Sequence, residues 1–237
     1  MVFAPMSGAL AAGNRVMIKS SEFTPAISEV LASLIRDAYD PKEVVLFTGG
    51  PEVGQAFSNL PLDHLLFTGA TSVARHIMAA AARNLVPVTL ELGGKSPVII
   101  SRSADLEKSL ERIMLGKTMN AGQICLAPDY LLVPEEKLHD VIATAQQVVA
   151  TMYPTLLDNA QYTSVINERH YQRLNGYLEE ARERGVKVIE INPAGEDFSQ
   201  QQGTHKIPPT LIPEPPEDLK LLQEEIFGPL LPIRTYR

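Results

Sequence analysis

Apolar residues fall into two kinds of run along this 237-residue chain. Compact runs such as NRVMIK, EVVLFTGG, DHLLFTGA and PVTLELGG are short and apolar and give way to glycine or polar residues, which predicts buried strands. Between them, apolar positions recur every three or four residues. TPAISEVLASLIRDAY places Ile27, Val30, Leu31, Leu34 and Ile35 on one helical face, with Pro25 suited to a first turn. A short helix is predicted over 51–60, and TSVARHIMAAAARNL turns Val73, Ile77 and Ala81 inward. Strands alternating with helices predict an α/β fold built on a parallel sheet.

That prediction has a positional consequence. In open α/β sheets, ligands bind beyond the carboxyl ends of the strands. Lys19 to Glu22, Gly49–Gly50, Thr68 to Ala70 and Glu91 to Gly94 are therefore expected along one edge.

The texture changes near Gly93 to Lys95, where a domain boundary is placed, giving domains over 1–93 and 94–237. SPVIIS and DYLLV read as strands. SADLEKSLERIMLGKTM reads as a helix with Leu106, Leu110 and Ile113 inward and Ser103 as its cap. EKLHDVIATAQQVVATM is strongly amphipathic through Leu138, Val141, Ile142, Ala145, Val148, Val149 and Met152. A further helix runs to Gly185 and is followed by VKVIEI. A Pro/Gly/Gln-rich stretch over 192–216 surrounds a short strand, PTLI, and DLKLLQEEIFGPLLPIRTYR follows.

Composition narrows the classes. The chain is 45% hydrophobic and 21% charged, with a formal charge of −7, which disfavours nucleic acid and anionic membrane as partners. The single cysteine cannot form an intramolecular disulfide, so a reducing, cytoplasmic setting is expected. The N-terminal apolar stretch lacks a preceding basic region and is not read as a signal peptide. No run is long enough to predict a spanning helix. The five histidines show no metal-ligand spacing, so no metal is expected.

Two residues carry candidate chemistry. Cys125 in NAGQICLAPD follows a helix among small and polar residues, where a thiolate would be approachable and backbone N–H groups could serve an oxyanion. The alternative, a small apolar side chain used for packing, stays open on this evidence. Glu91 stands between two leucines at a strand end. It is either a surface charge or a partly desolvated base.

Taken in order, GNRVMIKSSEFTP, LLFTGATSVARHI, LELGGKSP, NAGQIC and EEIFGP resemble the aldehyde dehydrogenase family across essentially the whole chain. GGPEVGQAFSNLPLDHLLFTGA with VTLELGGKSPVII is most similar to the coniferyl aldehyde branch. The resemblance implies a Rossmann-like parallel sheet with flanking helices and a second α/β catalytic domain, both incomplete here. It implies Cys125 as nucleophile, its backbone N–H as an oxyanion donor, and Glu91 as the base that activates water. Lys19 and Glu22 would hold the adenosine ribose, and a carboxylate there favours NAD over NADP. Gly50, Gly54, Phe67, Thr68 and Gly69 would line the adenine and pyrophosphate path. Leu92, Glu225 and Phe227 would meet the nicotinamide end. The implied partner is a small-molecule aldehyde, with homo-oligomers in full-length relatives.

This chain also departs from the family pattern. Ser20 replaces a common proline, and Ala70 replaces a serine that helps bind pyrophosphate. The family's upstream Trp–Asn pair, whose asparagine is a second oxyanion donor, has no counterpart, because the chain contains no tryptophan. Losing one such donor costs roughly 3–4 kcal/mol of transition-state stabilisation. The chain thus reads as the middle of a longer enzyme. Two rival expectations are an impaired homologue that keeps the fold and NAD affinity, and a structural fragment that assembles through open sheet edges.

Overall fold

The computed structural model describes residues 2–237, and the chain divides into two units, Met1–Leu92 and Gly93–Arg237.

The first unit is built from α1 (Phe3–Ala11), β1 (Val16–Lys19), α2 (Pro25–Ala38), β2 (Val44–Phe47), α3 (Pro51–Ser58), β3 (Leu65–Gly69), α4 (Thr71–Ala82) and β4 (Val88–Leu92). Pro25 and Pro51 begin α2 and α3, where a missing N–H costs nothing. β1 pairs in parallel with β2, and β3 with β4. Among the described residues no ladder joins the two pairs, so the expected edge of four strand ends is instead two separate pairs of ends.

Two-stranded ladders have little face to cover, and the core is correspondingly thin. One cluster is Met6, Ile35 and Val44, and the other is Leu65, Ala81 and Val86. The inward face expected of α2 is therefore only partly used. Ile35 is buried, whereas Ile27, Val30 and Leu34 are more than half exposed. On α4, Ala81 is buried and Ile77 packs beside it, while Val73 is exposed.

The second unit contains β5 (Pro97–Ile99), α5 (Leu106–Thr118), β6 (Tyr130–Pro134), α6 (Leu138–Met152), α7 (Glu168–Glu183), β7 (Ile189–Glu190), β8 (Thr210–Pro213), α8 (Lys220–Gln223) and β9 (Leu230–Tyr236). Its five-stranded sheet runs β5-β6-β9-β8-β7, parallel except for the β7–β8 pair. The central strand, β9, buries Leu230, Leu231, Pro232 and Ile233 in succession, as a strand covered on both faces does. The α6 stripe behaves as its spacing predicts. Val141, Ala145, Val148 and Val149 are buried, and Leu138, Ile142 and Met152 pack at the margin.

The helix ends of this unit are set by side chains. Asp105, rather than Ser103, caps α5 by accepting from the Lys108 N–H at 3.2 Å. Asn167 caps α7 through the His170 N–H at 3.0 Å, and Gly185 follows its end at φ +71°.

Candidate active site

The candidate residues of the first unit lie at the C-terminal ends of its strands. Lys19 closes β1, and its Nζ pairs with Glu22 Oε2 at 2.9 Å. The two side chains are 13% and 33% exposed, so the pair is partly shielded yet reachable. A side chain at Gly54 would meet the Lys19 stem, which places Gly54 over the same pair. Gly49 has φ +128°, and Gly50 opens α3 while donating its N–H to Glu52 Oε1 at 3.1 Å.

At the other strand pair, the Phe67 ring folds against Gly69, leaving no room for a side chain there. Parallel register sets Thr68 beside Glu91 and Gly69 beside Leu92. Glu91 is exposed, so the desolvated environment considered for a base is not present around it here. Ala70 begins α4 with no side-chain cap, whereas Ser20 is buried and donates to the Phe47 carbonyl at 3.4 Å.

The second unit builds the thiol loop immediately after α5. Asn120 (φ +51°), Ala121 (φ +53°) and Gly122 (φ +71°) are left-handed in succession. For the two non-glycine residues this costs on the order of 1–3 kcal/mol each, so neighbouring bonds must hold them. Gln123 supplies several of these bonds. Its Nε2 donates to the Asn120 carbonyl at 2.9 Å and the Ser164 carbonyl at 3.0 Å, and its Oε1 accepts from the Ile166 N–H at 2.9 Å. Gly122 faces the Gly228 carbonyl so closely that any Cβ would collide with it.

Cys125 follows in a tight turn, with the Ala127 N–H donating to the Ile124 carbonyl at 2.9 Å. Its side chain is exposed. Among the described residues nothing accepts from its N–H, which leaves a free donor beside the sulfur.

Glu225 and Phe227 come to the same unit from the far end of the chain. The Glu225 carboxylate rests on Gly93 and accepts from the Gly94 N–H. Burial lifts its carboxyl above the ordinary range, and the Gly94 bond opposes that shift. Phe227 is held at φ +44° and is 36% exposed.

Sequence reasoning missed the charged groups behind this loop. Asp129, only 3% exposed, forms an ion pair with Lys95 and accepts the Ile226 N–H at 2.9 Å. Lys117 is buried on α5 and donates to the Pro128 carbonyl at 2.8 Å. Burial pulls its ammonium from 10.5 down to about 7, with Asp129 opposing and Lys95 reinforcing the shift. The only sequence signal for Lys117 is a lysine in the helix turn that leads into the thiol loop. A cavity of about 430 Å³ in this unit is lined in part by Lys95, Tyr130 and Arg234.

Among the described residues, no group of three or more His, Cys, Asp or Glu side chains is placed to hold a metal, and no helix is long and apolar enough to cross a membrane.

Comparison with known proteins supplies the context for this arrangement. The aldehyde dehydrogenase family profile matches residues 1–237. The chain is 60% identical over 237 residues to a probable coniferyl aldehyde dehydrogenase of Caulobacter vibrioides, covering all of this chain and 49% of that protein. It is 57% identical, with the same coverage, to a coniferyl aldehyde dehydrogenase of Pseudomonas sp.. Among solved structures, substrate-bound AldH of Staphylococcus aureus superposes with a TM-score of 0.89 at 39% identity, covering 100% of this chain and 50% of that one. A Pseudomonas syringae aldehyde dehydrogenase, AldC, in complex with NAD+ and octanal gives 0.86 at 31% identity, covering 98% and 48%. The chain spans about half the length of the curated relatives it matches.

Proposed function

Because the chain belongs to the aldehyde dehydrogenase family, we propose that it carries the thiol chemistry of an NAD-dependent oxidation of an aldehyde to its carboxylate. An aromatic, coniferyl-type aldehyde is the proposed substrate class, and a cytoplasmic setting fits the single free thiol. The observation that carries this reading is the Cys125 turn: an exposed sulfur, an unengaged N–H beside it, and a strained loop that fixes both.

The cofactor assignment has support from the residues present. Lys19 and Glu22 form a paired cation and carboxylate at a strand end, beside Gly54, whose lack of a side chain leaves room for close approach. A ribose diol can accept from the lysine and donate to the carboxylate, and Glu22 would repel a 2′-phosphate, which favours NAD over NADP. NAD, when bound, supplies the hydride acceptor.

In the proposed sequence, the Cys125 thiolate adds to the aldehyde carbon, and the carbonyl π electrons move to oxygen. The Cys125 N–H donates to that oxyanion. Loss of hydride from the same carbon restores the C=O bond and leaves a thioester on sulfur. Glu91 takes a proton from water, whose oxygen attacks the thioester. The carbon–sulfur bond breaks, giving carboxylate and regenerated thiolate.

Two variants test this reading on the chain as it stands. Cys125→Ser is expected to abolish NADH formation with an aromatic aldehyde. Glu91→Gln is expected to leave acylation of Cys125 intact and slow its hydrolysis on the order of 100-fold or more. A parent chain that binds NAD and carries a reactive thiol but releases no NADH would instead favour the impaired-homologue reading.

A further inference from the structure

The segment 224–227 presents Glu225 and Phe227, yet it belongs to no helix or strand. Within it Phe227 has φ +44°, a left-handed backbone that persists only where its surroundings over-determine it. The Glu224 N–H donates to the Lys220 carbonyl at 2.8 Å, and several other main-chain groups of the segment are met by buried or half-buried side chains. The Glu224 carbonyl accepts from Lys95 Nζ at 3.0 Å. Arg173 on α7 donates to the Glu225 carbonyl at 3.4 Å and the Ile226 carbonyl at 2.8 Å. The Ile226 N–H goes to Asp129 Oδ2 at 2.9 Å. Tyr177, one turn beyond Arg173, donates to the Glu224 carboxylate at 2.6 Å.

Asp129 is the hinge of this arrangement. It lies four residues after Cys125, and its own N–H is tied to the Ser96 carbonyl at 2.8 Å. Its other oxygen holds Lys95, which also donates to the Leu221 carbonyl at 2.9 Å. One buried carboxylate thus links the thiol loop to the segment bearing Glu225, which is 100 residues away in sequence.

We propose that Asp129, with Lys95 and Arg173, is a positioning residue that locks segment 224–227 in its strained form and so fixes Glu225 and Phe227 for the nicotinamide half of the cofactor. The role rests on the NAD reading given above. Asp129 touches neither cofactor nor substrate in this scheme, and it acts through Ile226. Asparagine keeps an acceptor for the Ile226 N–H but loses the charge that retains Lys95. Alanine loses both.

The test compares the full chain with Asp129→Ala, Asp129→Asn and Arg173→Gln, each checked for its fold by circular dichroism. Hydrogen exchange reads the Ile226 amide, and titrations with NAD and with AMP read the two ends of the cofactor separately. In Asp129→Ala, Ile226 is expected to exchange at least about tenfold faster, while Leu231 in β9 is unchanged. NAD affinity is expected to fall about tenfold, with AMP affinity held within about twofold. Asp129→Asn should recover most of both effects. If Asp129→Ala fails to fold, Arg173→Gln loosens the same segment from the α7 side and must show the same split between NAD and AMP.

Unchanged Ile226 protection overturns the proposal, as does a loss of NAD and AMP affinity in equal measure. A parent chain that binds AMP but not NAD overturns the cofactor reading itself. That outcome is seen before any variant is made, so the two failures are distinct.

Discussion

The two units use the same alternation of strand and helix, yet they differ in how much surface their strands can cover. In the first, two separate parallel pairs support two clusters of three buried apolar residues each, and α2 leaves Ile27, Val30 and Leu34 to solvent. In the second, β9 lies between β6 and β8 and feeds two clusters: Leu231 and Ile233 join a large one with α5 and α6, and Leu230 joins a second with Leu174, Tyr177 and Leu178 of α7. A strand flanked on both sides turns an apolar run into core, whereas a strand in an isolated pair leaves much of it exposed. The same contrast reaches the chemistry. The candidate cofactor groups of the first unit stand near the surface at strand ends, while the thiol of the second is held by a fully packed scaffold.

Core substitutions should show this contrast most strongly. Leu131→Ala, at a fully buried position of β6, should cost about 2–5 kcal/mol. Leu34→Ala on the exposed face of α2 should stay within about 0.5 kcal/mol. Urea unfolding with hydrogen exchange read in each unit decides it, and equal losses at the two sites would erase the distinction.

A second experiment separates packing from charge inside the second unit. Lys117 is depressed from 10.5 to about 7 in the folded chain, so between those values the unfolded state binds more protons. Stability therefore rises with pH across that window, and below about pH 7 the folded chain carries the full cost of a buried ammonium. Lys117→Met should flatten this dependence and stabilise the unit near neutral pH, by on the order of a few kcal/mol. Denaturant midpoints at pH 6, 8 and 10 measure it. An unchanged slope would mean that Lys117 does not titrate there.

The smallest effect belongs to the first unit. Ala70 begins α4 with extended backbone and no capping bond, so Ala70→Ser should add about 1 kcal/mol. Thermal unfolding read by helix signal checks this, and a loss of stability would show that the N-terminal turn of α4 is already satisfied.

Helix faces were most legible where tertiary packing agreed with period. Every position of the α6 stripe from Leu138 to Met152 packs as its spacing predicts, because a single apolar face meets a single core. The α2 stripe was equally clear in sequence but failed at Ile27, Val30 and Leu34, since periodicity states what a helix can bury and not what lies against it. The strand β9 was not separated from its surroundings, because Pro229 and Pro232 interrupt the run and its partners lie far away in sequence. At the candidate site, short motifs marked Cys125, Glu91, Glu225 and the glycines. The groups supporting them were invisible, because Asp129, Lys117 and Arg173 acquire meaning only through carbonyls and amides that the fold brings to them. The αL backbone at Asn120 and Ala121 was likewise hidden, as alanine gives no local hint of that conformation.

The order of these contacts also bears on synthesis. The N–H that engages Asp129 belongs to a residue 97 positions later, and the central strand of the second sheet comes later still. A nascent chain would therefore expose Lys117 and most of its future core for many seconds before the strand that organises them leaves the ribosome. Folding of the second unit is then a late, all-at-once event, and it is during that interval on the ribosome that its unpaired strands are most open to aggregation.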